Sequence, residues 1–203
     1  MRDFVKICGL RSADMIEVAV DAGADAIGLV FARSPRSVSV PEAVQLKAAL
    51  DGHTALIAVM RHPAQQFAME VLDRVAPDWL QTDAGDYASI SLPEDTRALP
   101  VYRDNKRLDL QTLPNPMLFE GGDSGTGETA DWSMARAVAK SRTMVLAGGL
   151  SPENVLDAIR EVGPAGVDVS SGVEVRRGEK DAGAIRAFVA AAREGFAQMG
   201  SRK

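Results

Sequence analysis

The sequence has very few of the residues that usually build metal and redox sites. Its 203 residues include one cysteine, Cys8, and two histidines, His53 and His62. A single cysteine cannot form an internal disulfide, which is typical of a protein in a reducing compartment. Metal sites built from cysteine and histidine need several such residues at short spacing, and no cysteine lies near either histidine in the sequence. We therefore expect a cytoplasmic protein without a metal site.

Long apolar runs and blocks of one charge sign are also missing. No stretch approaches the roughly 18 apolar residues of a membrane helix, and the first residues reach Gly9 before any run as long as a signal-peptide core. The net charge is −5, and no basic stripe with interleaved aromatic residues occurs. Such a chain does not attract a nucleic-acid backbone. We expect neither a membrane nor a nucleic-acid partner.

Short β-branched runs alternate with segments of helical periodicity along the whole chain. Eight strands are predicted, at residues 4–9, 26–31, 54–60, 79–83, 99–103, 117–121, 144–149 and 166–172. The clearest helices are predicted at 13–22, 41–50, 64–75, 132–140, 152–161 and 182–194. This alternation indicates a parallel sheet, and its even spacing favours a single-domain (β/α)8 TIM barrel over residues 1–203. The alternative is an open doubly wound sheet, although no GxGxxG turn follows the first strand.

Prolines interrupt the helical pattern between the fourth and sixth strands, at positions 93, 100, 114 and 116. A proline removes one backbone donor and clashes with the preceding helical turn. We therefore expect the helices around strands four to six to be short or irregular.

Alternation along the strands places charged residues inside the predicted barrel. Because successive side chains point to opposite faces of a strand, Lys6 and Cys8 are predicted to point inward from strand one. The same parity turns Asp168 and Ser170 inward from strand eight, and Glu120 inward from strand six. A buried lysine needs a carboxylate partner, so the cluster at the carboxyl ends of these strands predicts an active site. The plainer alternatives are a core cysteine, a purely structural ion pair and a solvated glutamate.

Small residues end the last two strands. Gly148 and Gly149 end predicted strand seven, and Ser170 and Ser171 lie at the end of predicted strand eight. Exposed backbone N–H groups at these two positions commonly bind phosphate in barrels, so we expect a phosphorylated small molecule here. The GTG segment at residues 125–127 predicts a third flexible turn near the barrel mouth.

These residues occur in segments that together resemble the phosphoribosylanthranilate isomerase family. The matching segments are VKICGL at 5–10, GLVF at 28–31, SPR at 34–36, GTG at 125–127, DW at 131–132, AGGL at 147–150 and GVDVSSGVE at 166–174. The resemblance covers nearly the whole chain. It implies a barrel enzyme of tryptophan biosynthesis that isomerises N-(5'-phosphoribosyl)anthranilate by an Amadori rearrangement, without a metal or an organic cofactor. Family members occur as monomers and as homodimers, and both states stay open for this chain.

The resemblance also implies roles for individual residues. Cys8 takes the position of the family's general base, and Glu120 takes that of its general acid. Arg36 would face the anthranilate carboxylate, and Asp168 would address the anthranilate amine or orient the substrate. The backbone at Gly148, Gly149, Ser170 and Ser171 would bind the phosphate.

Two positions depart from the family pattern. The family's acid is an aspartate eleven residues before the DW pair, where this chain has Glu120. The family usually reads QLHG in strand four, whereas this chain reads QTDAG, with Asp83 in place of the histidine. These departures keep open a non-catalytic or altered-specificity paralogue that binds a phosphosugar. Another phosphosugar enzyme, such as an epimerase or indole-glycerol-phosphate synthase, is a further alternative, but the metal ligands or catalytic lysines of those enzymes cannot be placed here.

Overall fold

Eight parallel strands close into a barrel in the computed structural model, which describes residues 1–103, 108–121 and 131–201. The strands follow one another in chain order, and the first pairs with the eighth. They are β1 (Phe4–Cys8), β2 (Ala26–Val30), β3 (Ala55–Val59), β4 (Trp79–Asp83), β5 (Arg97–Arg103), β6 (Met117–Glu120), β7 (Met144–Leu146) and β8 (Gly166–Val169). The predicted TIM barrel is thus confirmed, and the closed order excludes the open doubly wound sheet.

Within the described ranges, six α-helices accompany the strands. They are α1 (Ala13–Asp21), α2 (Val40–Leu46), α3 (Gln65–Val75), α4 (Trp132–Ala139), α5 (Val155–Val162) and α6 (Ala182–Gly200). A 3-10 turn, Ala84–Ala88, replaces a helix between β4 and β5, and the described residues between β5 and β6 form no helix. This agrees with the irregular helices expected there. None of the six helices is both long and apolar enough to cross a membrane.

Two apolar layers hold the barrel together, as the strand parity predicts. Val5, Ile7 and Val167 belong to the larger cluster, which also contains buried residues of the surrounding helices. Leu118 and Val145 belong to a smaller cluster, whose buried residues come from the strands and from Ala147 just after β7. Side chains of the same parity as Leu118 and Val145 therefore fill the barrel interior.

A small hairpin after β8 is a feature that periodicity did not predict. Its strands, β9 (Glu174–Arg176) and β10 (Glu179–Lys180), are antiparallel. Two or three residues are too few to show an alternating pattern, so periodicity could not predict either strand. The hairpin leads into α6, whose first turn is capped by Asp181, and α6 continues to Gly200, beyond the predicted end at residue 194.

Gly172 occupies a point where the loops after β7 and β8 touch. A Cβ atom at this position would overlap the carbonyl oxygen of Leu150. We expect Gly172→Ala to lower the free energy of unfolding by about 1–3 kcal/mol, because the two loops must move apart. Urea unfolding measures this change. Gly85→Ala is the matched control, since a Cβ there meets no atom within 4 Å, and equal stability of the two variants would contradict the close approach.

Candidate active site

A cavity of about 270 Å³ opens at the carboxyl ends of the barrel strands. Its lining includes five of the predicted site residues, namely Cys8, Arg36, Glu120, Asp168 and Ser170. Gly148, Gly149 and Ser171 are not part of this lining, although they belong to the loops that follow β7 and β8. The structure therefore assembles most of the predicted site in one place.

The opposite end of the barrel carries a larger depression of about 420 Å³. Its lining includes Phe4 and Trp79, and the guanidinium of Arg97 lies 5.4 Å from the centre of the Trp79 ring. Barrel enzymes carry their chemistry at the carboxyl end of the strands, where side chains from many strands converge. The cavity around Cys8, with its thiol, carboxylates and cations, is accordingly the candidate active site.

Lys6 and Asp168 form a buried ion pair inside the barrel. Because β1 pairs with β8, these two residues are direct neighbours in register, and Lys6 Nζ lies 2.9 Å from Asp168 Oδ2. Lys6 is fully buried. Burial opposes its charge, but Asp168 and the nearby Cys8 more than offset this, so that the pKa of Lys6 is raised. The predicted carboxylate partner of Lys6 is thereby identified.

Cys8 lies directly against this ion pair. A Cβ on Gly28 would lie 3.0 Å from Cys8 Sγ and 3.2 Å from Lys6 Cε, so a larger residue at this position would crowd both side chains. Burial raises the pKa of the Cys8 thiol, while the charges of Lys6 and Lys180 act in the opposite direction. Burial thus favours the thiol over the thiolate, and a thiolate formed there is a strong base.

Two buried acceptor atoms in the cavity have no hydrogen-bond partner within the described parts of the chain. They are Asp168 Oδ1 and Gln81 Oε1, and both residues line the cavity. A buried acceptor left without a donor is costly, and in native proteins such an atom usually meets a ligand or an ordered water. Asp168 was predicted as a site residue. Gln81 was not, although its inward parity in β4 was a usable signal.

Arg36 is held by a carboxylate that the sequence had not assigned to the site. Its Nε and Nη2 atoms donate to the two oxygens of Glu174 at 2.7 and 3.0 Å. This is the side-on geometry of a guanidinium, so the Nη1–Nη2 end stays geometrically available to a second planar anion. Glu174 also accepts hydrogen bonds from Lys180 Nζ and Gly178 N. Burial opposes its charge, but these donors prevail and lower the pKa of Glu174 to about 2.

The loops predicted to bind phosphate include a glycine turn after β7. Gly148 and Gly149 have positive φ angles of 93° and 64°, a region that glycine enters without steric cost. Asn154 fixes this turn, because its side chain donates to Gly149 O and accepts from Ser151 N, each at 2.8 Å. In the next loop, Ser170 Oγ donates to the carbonyl of Cys8 at 3.1 Å. The predicted turn at 125–127 lies outside the described residues.

Glu120 ends β6 and meets a second cationic residue, Arg103 of β5. Arg103 Nη2 lies 3.7 Å from Glu120 Oε2, and Arg103 Nη1 is hydrogen bonded to Asp83 Oδ1. Asp83, which replaces the family's histidine, is therefore charge-balanced within the site. Arg103 was missed at the level of sequence, although its inward parity at the end of the strand predicted at 99–103 was a usable signal.

An imidazole still reaches Asp83, from the neighbouring loop. His62 Nε2 lies 3.3 Å from Asp83 Oδ2, and His62 Nδ1 lies 3.0 Å from Asp86 Oδ1. These ligand-type atoms lie within 4.8 Å of one another, a grouping that the sequence did not predict. The sequence separation of His62 and Asp83 hid this contact, which exists because β3 and β4 are adjacent.

Comparison with known proteins agrees with this geometry. Residues 5–191 match the family described as N-(5'phosphoribosyl)anthranilate (PRA) isomerase. Among curated relatives, the N-(5'-phosphoribosyl)anthranilate isomerases of Roseiflexus castenholzii and Pseudomonas fluorescens are 38% and 39% identical to this chain. Each alignment covers 93% of this chain and 97% of the relative.

Solved structures give the same result. The phosphoribosyl anthranilate isomerase of Thermotoga maritima superposes with a TM-score of 0.81 at 28% identity, over 96% of this chain and 100% of that one. Another structure of such an isomerase holds reduced 1-(o-carboxyphenylamino)-1-deoxyribulose 5-phosphate and superposes with a TM-score of 0.78, at the same identity and coverage. A third describes monomers generated from the dimeric Thermotoga maritima enzyme, with a TM-score of 0.78 at 27% identity, over 96% of this chain and 100% of that one. With its barrel, its site residues and its matching sequence, the chain belongs to the N-(5'-phosphoribosyl)anthranilate isomerase family.

Proposed function

We propose that this protein converts N-(5'-phosphoribosyl)anthranilate to 1-(2-carboxyphenylamino)-1-deoxyribulose 5-phosphate, in tryptophan biosynthesis. The observation that carries the proposal is the buried Cys8 thiol, which lies beside Lys6 in one cavity with Glu120. A base and an acid in one cavity are what an Amadori rearrangement requires. The buried, unpaired cysteine also supports a cytoplasmic enzyme.

Ring opening is the first step, and Glu120 is its acid. The carboxyl group of Glu120 protonates the furanose ring oxygen, the C1–O bond breaks, and the nitrogen lone pair forms the C1=N bond of a protonated imine that keeps its N–H. Glu120 has the same chemistry as the family's aspartate but extends one methylene further. After it has given up its proton, the Glu120 carboxylate lies next to the Arg103 guanidinium, which also contacts Asp83.

Proton transfer at carbon is the second step, and Cys8 is its base. The imine makes the proton on C2 acidic, and the Cys8 thiolate removes it to leave an enaminol. The Cys8 thiol then returns its proton to C1 and the Glu120 carboxylate takes the enol proton, which gives the ketone and restores both groups. Lys6 and Lys180 favour the thiolate against the effect of burial.

Three groups hold the substrate in this proposal. The open end of the Arg36 guanidinium pairs with the anthranilate carboxylate, as bidentate geometry favours. Asp168 Oδ1, a buried acceptor without a donor among the described residues, takes the N–H of the anthranilate amine. The backbone at Gly148, Gly149, Ser170 and Ser171 receives the phosphate.

Two measurements test the proposed function. The purified protein is expected to consume N-(5'-phosphoribosyl)anthranilate, followed directly by its fluorescence, and the gene is expected to restore growth of a tryptophan auxotroph that lacks this step. Isothermal titration with the reduced product analogue provides the contrast. Binding of the analogue without turnover would contradict the proposal and favour a phosphosugar-binding paralogue.

A further inference from the structure

The hairpin of β9 and β10 brings two charged side chains back into the barrel mouth. Glu174 starts β9 and Lys180 ends β10, and their side chains are only 4% and 2% exposed. Lys180 Nζ lies 2.9 Å from Glu174 Oε1. A buried ion pair is retained only where additional hydrogen bonds satisfy both groups, and here each group has further partners.

Glu174 connects this ion pair to Arg36. Both carboxylate oxygens accept from the Arg36 guanidinium, at 2.7 and 3.0 Å, and Oε2 also accepts from Gly178 N at 3.1 Å. A side-on bidentate contact defines the plane of the guanidinium as well as its position. Glu174 thereby sets the direction in which the open end of Arg36 points.

Lys180 connects the same ion pair to the loop after β8. Its Nζ donates to the backbone carbonyl of Ser170 at 2.8 Å and lies 3.4 Å from Ser170 Oγ. Ser170 has backbone angles of φ −129° and ψ −78°, outside the regular strand region. Lys180 therefore stabilises the turn whose N–H groups are assigned to the phosphate.

The tip of the hairpin also contacts the loop that carries Arg36. Gly178 has φ 86°, and a Cβ there would lie 2.8 Å from Pro35 O, so only glycine allows this approach. The hairpin thus packs directly on the residue before Arg36. Four side chains, Arg36, Glu174, Lys180 and Ser170, form one continuous series of contacts from the loop after β2 to the loop after β8.

We propose that Glu174 and Lys180 are positioning residues that couple the two charged ends of the substrate site, so that occupancy of the phosphate end strengthens binding at the Arg36 end. This inference rests on the proposed function for the identity of the two ends. A phosphate that orders the Ser170 turn also orders Lys180, Glu174 and the Arg36 guanidinium. Binding of anthranilate then costs less conformational entropy. By linkage the effect is reciprocal.

The test measures binding of anthranilate by isothermal titration, with and without saturating inorganic phosphate. In the unmodified protein, phosphate is expected to raise the affinity for anthranilate at least about fivefold, the lower range of typical coupling. In Lys180→Met, the ratio of the anthranilate affinities with and without phosphate is expected to fall to about one. Glu174 keeps its hydrogen bonds with Arg36 and Gly178, whereas the contact from Lys180 to Ser170 is lost. Glu174→Gln is expected to weaken anthranilate binding itself, since the side-on carboxylate is gone.

Glu179→Gln is the matched control, as Glu179 lies on the same hairpin and pairs only at the surface with Arg176 among its described contacts. It is expected to keep the ratio of the unmodified protein, and thermal melts verify that every variant folds. A ratio of one in the unmodified protein, no measurable anthranilate binding, or an unchanged ratio in folded Lys180→Met would each overturn the coupling. Turnover by the unmodified protein tests the proposed function separately, because the coupling is read from binding alone.

Discussion

Cys8→Ala is expected to lower kcat by about 10²–10⁴-fold, the usual contribution of a positioned general base. The substitution removes the thiol that lines the cavity beside Lys6 and Asp168 and whose thiolate is the proposed base. Binding of the reduced product analogue is expected to change little, because the carboxylate and phosphate ends are untouched. Direct fluorescence assay of turnover, set beside isothermal titration of the analogue, separates these effects. Turnover close to that of the unmodified protein would remove Cys8 from the mechanism.

The pH profile of kcat/KM gives an independent check on Cys8. A base acts in its deprotonated form, so the rate is expected to rise with pH as the thiolate fraction grows. Since burial raises the pKa of Cys8, the rise is expected to extend into the alkaline range. The chain has one cysteine, so the ultraviolet absorbance that the unmodified protein gains with pH, and that Cys8→Ala does not gain, reports on the Cys8 thiolate. A rate that levels off well below the thiolate transition would contradict the assignment.

Glu120→Gln is expected to cause a loss of kcat of similar size, about 10²–10⁴-fold. The amide has nearly the shape of the carboxyl group but cannot release a proton to the furanose oxygen. Since ring opening precedes every later step, the loss is expected in kcat, with analogue binding retained. The same fluorescence assay and titration measure both quantities.

Glu120→Asp distinguishes the chemical role of Glu120 from its reach. It restores the family's residue and keeps the acid, so we expect it to retain measurable turnover where Glu120→Gln does not. Glu70→Gln, at an exposed pair with Arg74 on α3, controls for loss of one negative charge. Equal activity of Glu120→Gln and the unmodified protein would require a different acid.

Strand parity accounts for much of the site that could be predicted from sequence. Lys6, Cys8, Asp168 and Glu120 lie at positions where alternation points inward, and no pairing information was needed to place them at the carboxyl ends of their strands. Gln81 and Arg103 obey the same rule but were missed, because an inward polar residue does not by itself mark a site until the side chains around it are known. Glu174 and Lys180 had no periodic signal, since they belong to strands of three and two residues.

By itself, the sequence determined the alternation of eight strands with helices, the inward parity of the charged residues and the glycine turns after β7 and β8. These are local properties, set by side-chain periodicity and by the φ angles that glycine permits. Only the tertiary structure decided which residues meet. Closure of β1 on β8 pairs Lys6 with Asp168, and the fold brings Arg36 to Glu174 across 138 positions. Such contacts depend on which strands are neighbours and on which loops lie next to each other, and the local sequence pattern determines neither.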